Sequence, residues 1–437
     1  MSDCTAEKFR FAPLGRRVIE AAFEGGEISS DGGLLLLREL DRRLGLIGRA
    51  AALLADPRDP DRIEHTVADM LRQRVFALCQ GYEDLNDHGA LRNDLLMQTA
   101  LDRDQALASA PTLCRLEKRA SRAQAWAMHK VMVEQFIASF AQAPEELVLD
   151  FDATDDPVHG AQEKRFFHGY HDHYCYLPLY VFCGEQLLVA YLRPSNIDEA
   201  KHAWAVLALL VKRLRAAWPQ VRIILRGDSG FCRHRVLDWC DRHGVGYCVG
   251  LAKNSRLLEM TEETRERMAR QFGETHQHQR EFQELRYGAY TWSCERRVIA
   301  RLEHSSKGDN PRFIVTNLEG DGKHLYEKLY CARGEMENRI KEAQLGLFAD
   351  RTSCEHFVSN QFRLLLSSLA YILIERLRTL VLHGTEFARL QAQTLRAKLL
   401  KIGAVIVRNS RRVRVLLSSS FPYQSVFLHA ARVLSSP

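Results

Sequence analysis

The stretch Leu147-Val148-Leu149-Asp150-Phe151-Asp152-Ala153-Thr154 decides the fold, because the pattern of the chain changes there. Before it, apolar residues such as Leu36, Leu40 and Leu44 recur at helical spacing. After Glu146, short apolar runs bounded by turn residues are typical of buried strands. The stretch therefore predicts the first strand of a sheet, and that strand ends in acidic residues.

The elements after this strand predict a mixed sheet flanked by helices. In chain order they are a hairpin (Tyr176–Cys183 and Leu187–Leu192), a helix (Glu199–Trp218), a strand (Val221–Leu225), a helix (Arg235–His243) and a strand (Gly246–Leu251). Helices on the faces of such a sheet define an α/β architecture. The order differs from the regular alternation of a dinucleotide-binding domain.

The whole chain, at 437 residues, is long enough for two or three domains. The predicted segments are a helical N-terminal region (1–145), the first part of the sheet core (146–251), a more polar insert with strand-like pieces (252–310), the second part of the core (311–382) and a helical, basic C-terminal region (383–437). Each segment is a separate expectation for the structure.

The composition predicts a cytoplasmic protein without a membrane partner. Hydrophobic residues make up 46% and charged residues 27% of the chain, as in ordinary soluble proteins. No apolar run approaches the roughly 20 residues that span a bilayer. The N-terminal segment with Asp3, Glu7 and Lys8 lacks the apolar stretch of a signal peptide. The eleven cysteines form no Cys-x-x-Cys pair, which argues against a zinc ribbon or a disulfide framework.

The net charge of +6 is unevenly distributed. Residues 351–437 contain 13 Lys and Arg against 3 Asp and Glu, so the rest of the chain is slightly acidic. A basic end on a nearly neutral body favours a polyanionic partner, most often nucleic acid. A solvated basic face is the alternative.

Two further acids stand in contexts similar to that of Asp152. Asp228 follows the apolar run Val221–Leu225, and Glu337 lies in a segment, Tyr330–Glu337, that predicts a helix. Two strand-end acids and one helical acid can converge to hold two divalent metal ions, which catalyse phosphodiester chemistry. An Asp at a strand end is more often only a turn or capping residue. The combination of three favours a metal site.

The helix around Glu337 predicts a mixed polar stripe. Tyr330, Arg333, Glu337, Lys341 and Gln344 are three or four residues apart and share one face. This pattern suits a site where the carboxylate holds metal and the two cations contact phosphates. An exposed face with Glu–Lys pairs is the alternative.

Several motifs together carry a family resemblance. They are Ser29-Ser-Asp-Gly-Gly-Leu-Leu-Leu-Leu-Arg-Glu-Leu-Asp, Pro111-Thr-Leu-Cys-Arg-Leu-Glu, Asp152-Ala-Thr-Asp-Asp-Pro-Val-His-Gly, His168-Gly-Tyr, Asp228-Ser-Gly-Phe and Tyr330-x-x-Arg333-x-x-x-Glu337. In this order and spacing the chain resembles bacterial insertion-sequence transposases of the DDE type, most closely the 1380 insertion-sequence family. The resemblance covers nearly the whole chain.

The resemblance implies an RNase H-like catalytic domain with a β-rich insert. It implies that Asp152, Asp228 and Glu337 bind Mg²⁺, for which Mn²⁺ can substitute. The implied activity is cleavage and strand transfer of double-stranded DNA at terminal inverted repeats, with target DNA as a second partner. The implied active complex is a homodimer that pairs two ends.

The resemblance also implies DNA contacts. Tyr330 and Arg333 are expected at the transposon end, and Trp292 of the insert is expected to stack on an extruded base, with hairpin packing as the alternative. The related group has Lys where this chain has Gln344, and Lys341 is the candidate replacement. The helical N-terminal region and the basic C-terminal region, with Arg411, Arg412 and Arg414, are expected to bind the inverted repeats.

Three other functions fit parts of the sequence. A haloacid-dehalogenase-like phosphatase would use Asp150 as nucleophile and Asp152 as acid/base. A hairpin after that motif, and Cys232 where an acid is expected, count against it. A catalytically decayed DNA-binding protein is the second alternative. The third is a metal site of His168, His171 and His173 or of His276 and His278, for which ligand spacing is not evident. His168 is instead expected near the active site, in contact with phosphate.

Overall fold

The structure is a computed structural model that describes residues 7–435. Its strands are β1 (Phe9–Leu14), β2 (Arg17–Ala21), β3 (Ile28–Ser29), β4 (Glu146–Ala153), β5 (Asp156–Pro157), β6 (Phe166–His168), β7 (His173–Tyr176), β8 (Leu179–Cys183), β9 (Gln186–Tyr191), β10 (Arg222–Gly227), β11 (Gly246–Leu251), β12 (Gln279–Tyr287), β13 (Arg296–Ser305), β14 (Gly308–Asp309), β15 (Arg312–Thr316), β16 (Ala404–Arg408) and β17 (Val413–Leu417). Its α-helices are α1 (Leu34–Leu44), α2 (Leu46–Ala51), α3 (Val67–Gln80), α4 (His88–Leu91), α5 (Leu95–Ala100), α6 (Ala110–Arg119), α7 (Arg122–Ile137), α8 (Ala203–Ala217), α9 (His234–Arg242), α10 (Ser255–Glu259), α11 (Glu262–Thr275), α12 (Gly322–His324), α13 (Gly334–Lys341), α14 (Phe357–Arg376), α15 (Ala392–Leu395) and α16 (Gln424–Ser435).

A nine-stranded mixed sheet forms the centre of the fold. The strand order is β12-β13-β15-β11-β10-β4-β8-β9, and β14 pairs with β13. β4, β10 and β11 run parallel, whereas β8, β9, β13 and β15 pair antiparallel with their neighbours. Parallel neighbours need a crossover, and here α8 precedes β10 and α9 precedes β11. The predicted mixed sheet flanked by helices is confirmed.

The larger apolar cluster lies on one face of this sheet. Leu147, Leu149 and Phe151 are at most 3% exposed and pack with α8 and α9 in one hydrophobic cluster. Successive side chains of a strand point to opposite faces. Asp150 and Asp152 therefore lie on the other face, where the candidate site is found.

The predicted insert of residues 252–310 extends this sheet. β12 and β13 pair along their whole length, and β13 continues onto β15 through Val298↔Val315 and Ile299↔Ile314. These paired residues are fully buried. The insert contains strands, as expected, and its strands contribute to both apolar clusters of the central sheet.

The chain forms two compact units, which differ from the five consecutive segments predicted. One unit comprises residues 1–119, 346–348 and 369–437, and the other comprises residues 120–345 and 349–368. In the first unit β16 pairs with β3 through Ala404↔Ser29, so the terminal regions, expected to be helical, also contain strands. In the second unit α7 packs on β9, where His129 Nε2 lies 3.0 Å from the Ala190 carbonyl. α7 therefore belongs with the sheet.

The ends of the predicted terminal segments, residues 1–6 and 436–437, lie outside the described residues. Within residues 7–435 none of the helices is both long and apolar enough to cross a bilayer.

Candidate active site

Two acids meet at the carboxyl edge of the parallel strands. Asp152 follows Phe151 on β4, and Asp228 follows Gly227, the residue of β10 paired with Phe151. Asp228 Oδ1 accepts a hydrogen bond from the Gly230 amide at 2.9 Å, and Asp152 Oδ1 accepts one from the Ala153 amide at 2.9 Å. Equal register on adjacent parallel strands thus brings the two carboxylates together.

Glu337 reaches this edge from a helical segment whose hydrogen bonding changes on both sides of α13. A π-helical turn (Leu325–Tyr330) and a 3₁₀ turn (Cys331–Arg333) precede α13, and a second π-helical turn (Glu342–Gly346) follows it. The apolar and charged pattern of the sequence predicts one continuous helix over Lys323–Leu347. π-Helical turns interrupt helices frequently at functional sites. Buried residues Met336 and Ile340 fix one face of α13, and the Glu337 side chain is 46% exposed on another.

Arg333 lies between the carboxylates. Its Nη2 is 2.8 Å from Glu337 Oε1, and its Nη1 is 3.8 Å from Asp152 Oδ2. Burial raises the pKa of Asp152 to about 7; the negative charges of Asp228 and Glu337 act in the same direction, and Arg333 opposes them. One guanidinium therefore faces three acids, which leaves a surplus of negative charge.

The surplus of negative charge makes the site suitable for a divalent cation. Among residues 7–435, no three His, Cys, Asp or Glu side chains are already gathered as ligands of one metal ion. Oxygen ligands from carboxylates suit Mg²⁺. The donor set and the charge of the site fit such a cation, and Arg333 supplies the positive charge at this point of the structure.

Asp150 and Asp152 lie on the same face of β4, but only Asp152 faces the cluster. Asp150 is 2% exposed and binds Arg226 through both carboxylate oxygens, with Nη2 2.7 Å from Oδ2. Arg226 also donates to the Leu329 carbonyl at 2.6 Å. The pair is neutral and buried. This ion pair is a structural reason to prefer Asp152 over Asp150 as a candidate metal ligand. Strand alternation alone does not separate the two, because it places both side chains on the same face.

Glu199 is a fourth acid at this edge, and the sequence reasoning missed it. A methyl group added at Gly230 would lie 2.1 Å from Glu199 Oε2, so this carboxylate packs against the loop that carries Asp228. Burial raises the pKa of Glu199, and the charge of Asp228 adds to the effect. In the sequence Glu199 looks like the first residue of a helix, but α8 begins only at Ala203.

His168 lies on the same side of the site. It ends β6, and its charge lowers the pKa of Glu199 against the larger effect of burial. Its ring is 4.7 Å from that of His171, while His173 Nε2 is 2.9 Å from Asp155 Oδ2. The structure thus places His168 close to the acids.

The other residues of the polar helical face have different surroundings. A methyl group at Gly250 would lie 2.7 Å from Tyr330 Oη, so the phenol contacts the end of β11. Lys341 is exposed and forms no ion pair within residues 7–435. Gln344 Nε2 donates to the Asp155 carbonyl at 3.1 Å. Gln344 therefore holds the loop after β4, and Lys341 is the free cation of this face in the described chain.

Trp292 is not brought to the acids. It is half-buried in the loop before β13, with its ring 5.5 Å from Tyr287 and 5.3 Å from the Arg296 guanidinium. Arg296 Nε in turn donates to Tyr247 Oη at 3.1 Å, near the amino end of β11. Trp292 thus lies at the opposite edge of the sheet, a position that favours the packing alternative.

The three candidate arginines of the C-terminal region belong to the other unit. Arg411 and Arg412 form the turn of the β16–β17 hairpin, where both amides donate to Asn409 Oδ1. Arg414 lies on β17 opposite Val407. All three side chains are exposed. They form a basic hairpin tip.

The family described as "Transposase DDE domain group 1" matches residues 11–436. The chain belongs to this transposase family. No curated protein matches the transposase. Among solved structures, one matching chain is that of piggyBac transposase in a cryo-EM synaptic complex with hairpin DNA. It is 9% identical, with a TM-score of 0.43, over 94% of this transposase and 83% of that chain.

Proposed function

We propose that this transposase binds the terminal inverted repeats of an insertion sequence, cleaves DNA there and joins the freed 3′ ends to target DNA. The observation that carries the proposal is the meeting of Asp152, Asp228 and Glu337 at one sheet edge, with Arg333 among them. Membership of a DDE transposase family supports it. We also assign the chain to the 1380 insertion-sequence family, on the motifs quoted above.

Asp152, Asp228 and Glu337 would hold two Mg²⁺ ions, and Mn²⁺ would substitute. Bound metal ions activate the attacking hydroxyl and stabilise the leaving oxygen of an in-line displacement. The Gly230 amide orients the Asp228 carboxylate for this role. Asp152, with a pKa of about 7, gives up its proton near neutral pH, so cation binding and proton release are coupled.

Arg333 would change partners in this process. With Glu337 and Asp152 holding cations, the Arg333 guanidinium would no longer pair with these carboxylates. A guanidinium binds phosphate bidentately, so Arg333 is available for the DNA backbone. Lys341, about two turns further along the same face, and Tyr330 would contact the same DNA end, while His168 would contact phosphate.

The other unit would supply affinity for the inverted repeats. Arg411, Arg412 and Arg414 present three exposed positive charges on the β16–β17 hairpin. Phosphate contacts of this kind position a protein on DNA without reading its sequence. The active complex would be a homodimer, because two element ends are joined in one reaction.

A phosphatase of the haloacid-dehalogenase type is less well supported. Its nucleophile would be Asp150, which is buried and bonded through both oxygens to Arg226. A nucleophile needs an accessible oxygen in contact with the substrate. In this environment Asp150 has a structural role as the buried partner of Arg226.

The test uses purified transposase, Mg²⁺ and a plasmid that carries the inverted repeats flanking the gene. Wild type should nick the plasmid at the repeats, and D228N should bind the repeats but not nick them. The matched control is D104N, because the Asp104 side chain is exposed and forms no hydrogen bond or ion pair within residues 7–435. Equal nicking by D228N and wild type would overturn the assignment, and binding without cleavage by wild type would favour a decayed DNA-binding protein.

A further inference from the structure

A basic cleft adjoins the active site on the side of β11, β13 and β15. Its volume is about 560 Å³. Ser229, Gly250 and Tyr330 line the wall next to Asp228. The other lining residues include Lys253, Arg301, Pro311, Arg312 and Tyr326. We call this region the basic cleft.

The cleft and the acid cluster share one wall. A methyl group on Gly250 would lie 2.8 Å from the Ser229 amide and 3.1 Å from the Asp228 carbonyl carbon. The end of β11 therefore touches the backbone that carries Asp228. A ligand that extends from the acids past Ser229 would enter the basic cleft.

Two arginines stand opposite each other in the cleft. Arg301 of β13 pairs in register with Arg312 of β15. Side chains of directly opposed residues lie on the same face, and like charges at such positions are destabilising. An anion bound between the two side chains would relieve this repulsion.

The charges of the cleft are only partly compensated. Arg301 pairs with Glu303 at 3.0 Å and stacks on Tyr326 at 5.2 Å, but its buried Nε has no hydrogen-bond partner. Among the described residues, the Arg312 side chain donates only to a neutral partner, Asn310 Oδ1, at 3.2 Å. Lys253 is exposed and forms no ion pair within residues 7–435. The cleft thus offers positive charge and free N–H donors beside an acidic site.

We propose that the basic cleft binds a phosphate group of the DNA strand next to the scissile phosphate, with Lys253, Arg301 and Arg312 as its donors. The proposal rests on the proposed function, because it identifies the path of the DNA strand beyond Asp152, Asp228 and Glu337. A phosphodiester is a hard anion with several acceptor oxygens, which arginine forks and lysine bind well. The aromatic ring of Tyr326 holds the Arg301 fork in place.

The test compares two DNA probes bound to the full-length transposase in Ca²⁺. One probe is a duplex that ends at the scissile phosphate of the inverted repeat, and the other continues into flanking DNA. The variant is K253Q/R312Q. The matched control is K212Q/R242Q, which removes one exposed Lys and one exposed Arg from α8 and α9, helices that lead into the amino ends of β10 and β11.

Wild type and the control should bind the continued probe about tenfold more tightly than the shorter probe, because phosphate contacts release counterions. K253Q/R312Q should lose this difference and show a smaller salt dependence. Equal discrimination by K253Q/R312Q and the control would overturn the proposal. Failure of wild type to bind either probe would instead overturn the proposed function and the cleft with it.

A stability measurement separates binding from a structural role. R312Q removes the like-charge opposition to Arg301. We expect the melting temperature of R312Q to equal or exceed that of wild type while DNA binding weakens. A loss of stability together with unchanged binding would assign Arg312 to the fold and contradict the proposal.

Discussion

The two edges of the central sheet each hold an arginine among acids, but the balance of charge differs. At the amino edge, Arg296 is 3% exposed and binds Asp238 at 2.6 Å and Asp241 at 2.8 Å. At the carboxyl edge, Arg333 is 20% exposed and faces Asp152, Asp228 and Glu337. Arg296 is held in place by short bonds, whereas Arg333 is outnumbered and partly open. The difference separates an arginine that stabilises the fold from one that stands where a cation can act.

Loss of Arg296 should have the largest effect on stability. R296Q removes one donor from each of two carboxylates and from Tyr247 Oη, while Ser293 and Asn317 still donate to the carboxylates. Because Asp238 and Asp241 are partly exposed, we expect a loss of up to about 3 kcal/mol, the lower end of the cost of breaking a fully buried pair. Urea unfolding should show this loss, while Mn²⁺ affinity of the folded protein should stay the same. R286Q, an exposed arginine without an acidic partner in the described chain, is the control.

The carboxyl edge should instead make stability depend on pH. Burial raises the pKa of Asp152 from 3.8 to about 7, so the folded state holds this proton more tightly than the unfolded state. Stability is therefore greatest below about pH 4 for this group and declines as pH rises towards 7. Melting temperatures in a metal chelator should follow this decline in wild type. D152N should lack this contribution, and a slope identical to that of wild type would contradict the assignment.

Loss of Arg333 should strengthen metal binding. R333Q removes the cation that lowers the pKa of Asp152, so no guanidinium offsets the negative charge of the acids at this point. The pKa of Asp152 is then higher in R333Q than the value of about 7 in wild type, and titration at about pH 9 keeps proton competition small. Calorimetry should then show Mn²⁺ affinity about tenfold above wild type, a change of roughly 1.4 kcal/mol, while DNA cleavage falls. Unchanged or weaker Mn²⁺ binding would show that Arg333 does not compete with the cation.

Trp292 should have the smallest effect. W292F keeps an aromatic ring against Tyr287 and should change the free energy of unfolding by less than about 1.5 kcal/mol. Binding of the inverted repeats should not change, because the ring lies at the amino edge. Anisotropy measurements that found weaker DNA binding by W292F would restore the base-stacking role.

The sequence pattern predicted the strands that carry Asp152 and Asp228, because buried strands leave apolar runs and their ends leave turn residues. It did not locate Arg333 between the acids or Glu199 beside Gly230, since these contacts join segments far apart in the chain. The edge that Trp292 reaches depends on the direction and register of β12 and β13, which local pattern does not determine.

The central claim is that the acids of the carboxyl edge bind the catalytic cations, and Mn²⁺ titration tests it most directly. Calorimetry of the transposase bound to inverted-repeat DNA should give about two Mn²⁺ ions per chain in wild type. D152N and E337Q should lose this binding, and D104N should keep it. Full Mn²⁺ binding by D152N and E337Q would contradict the account.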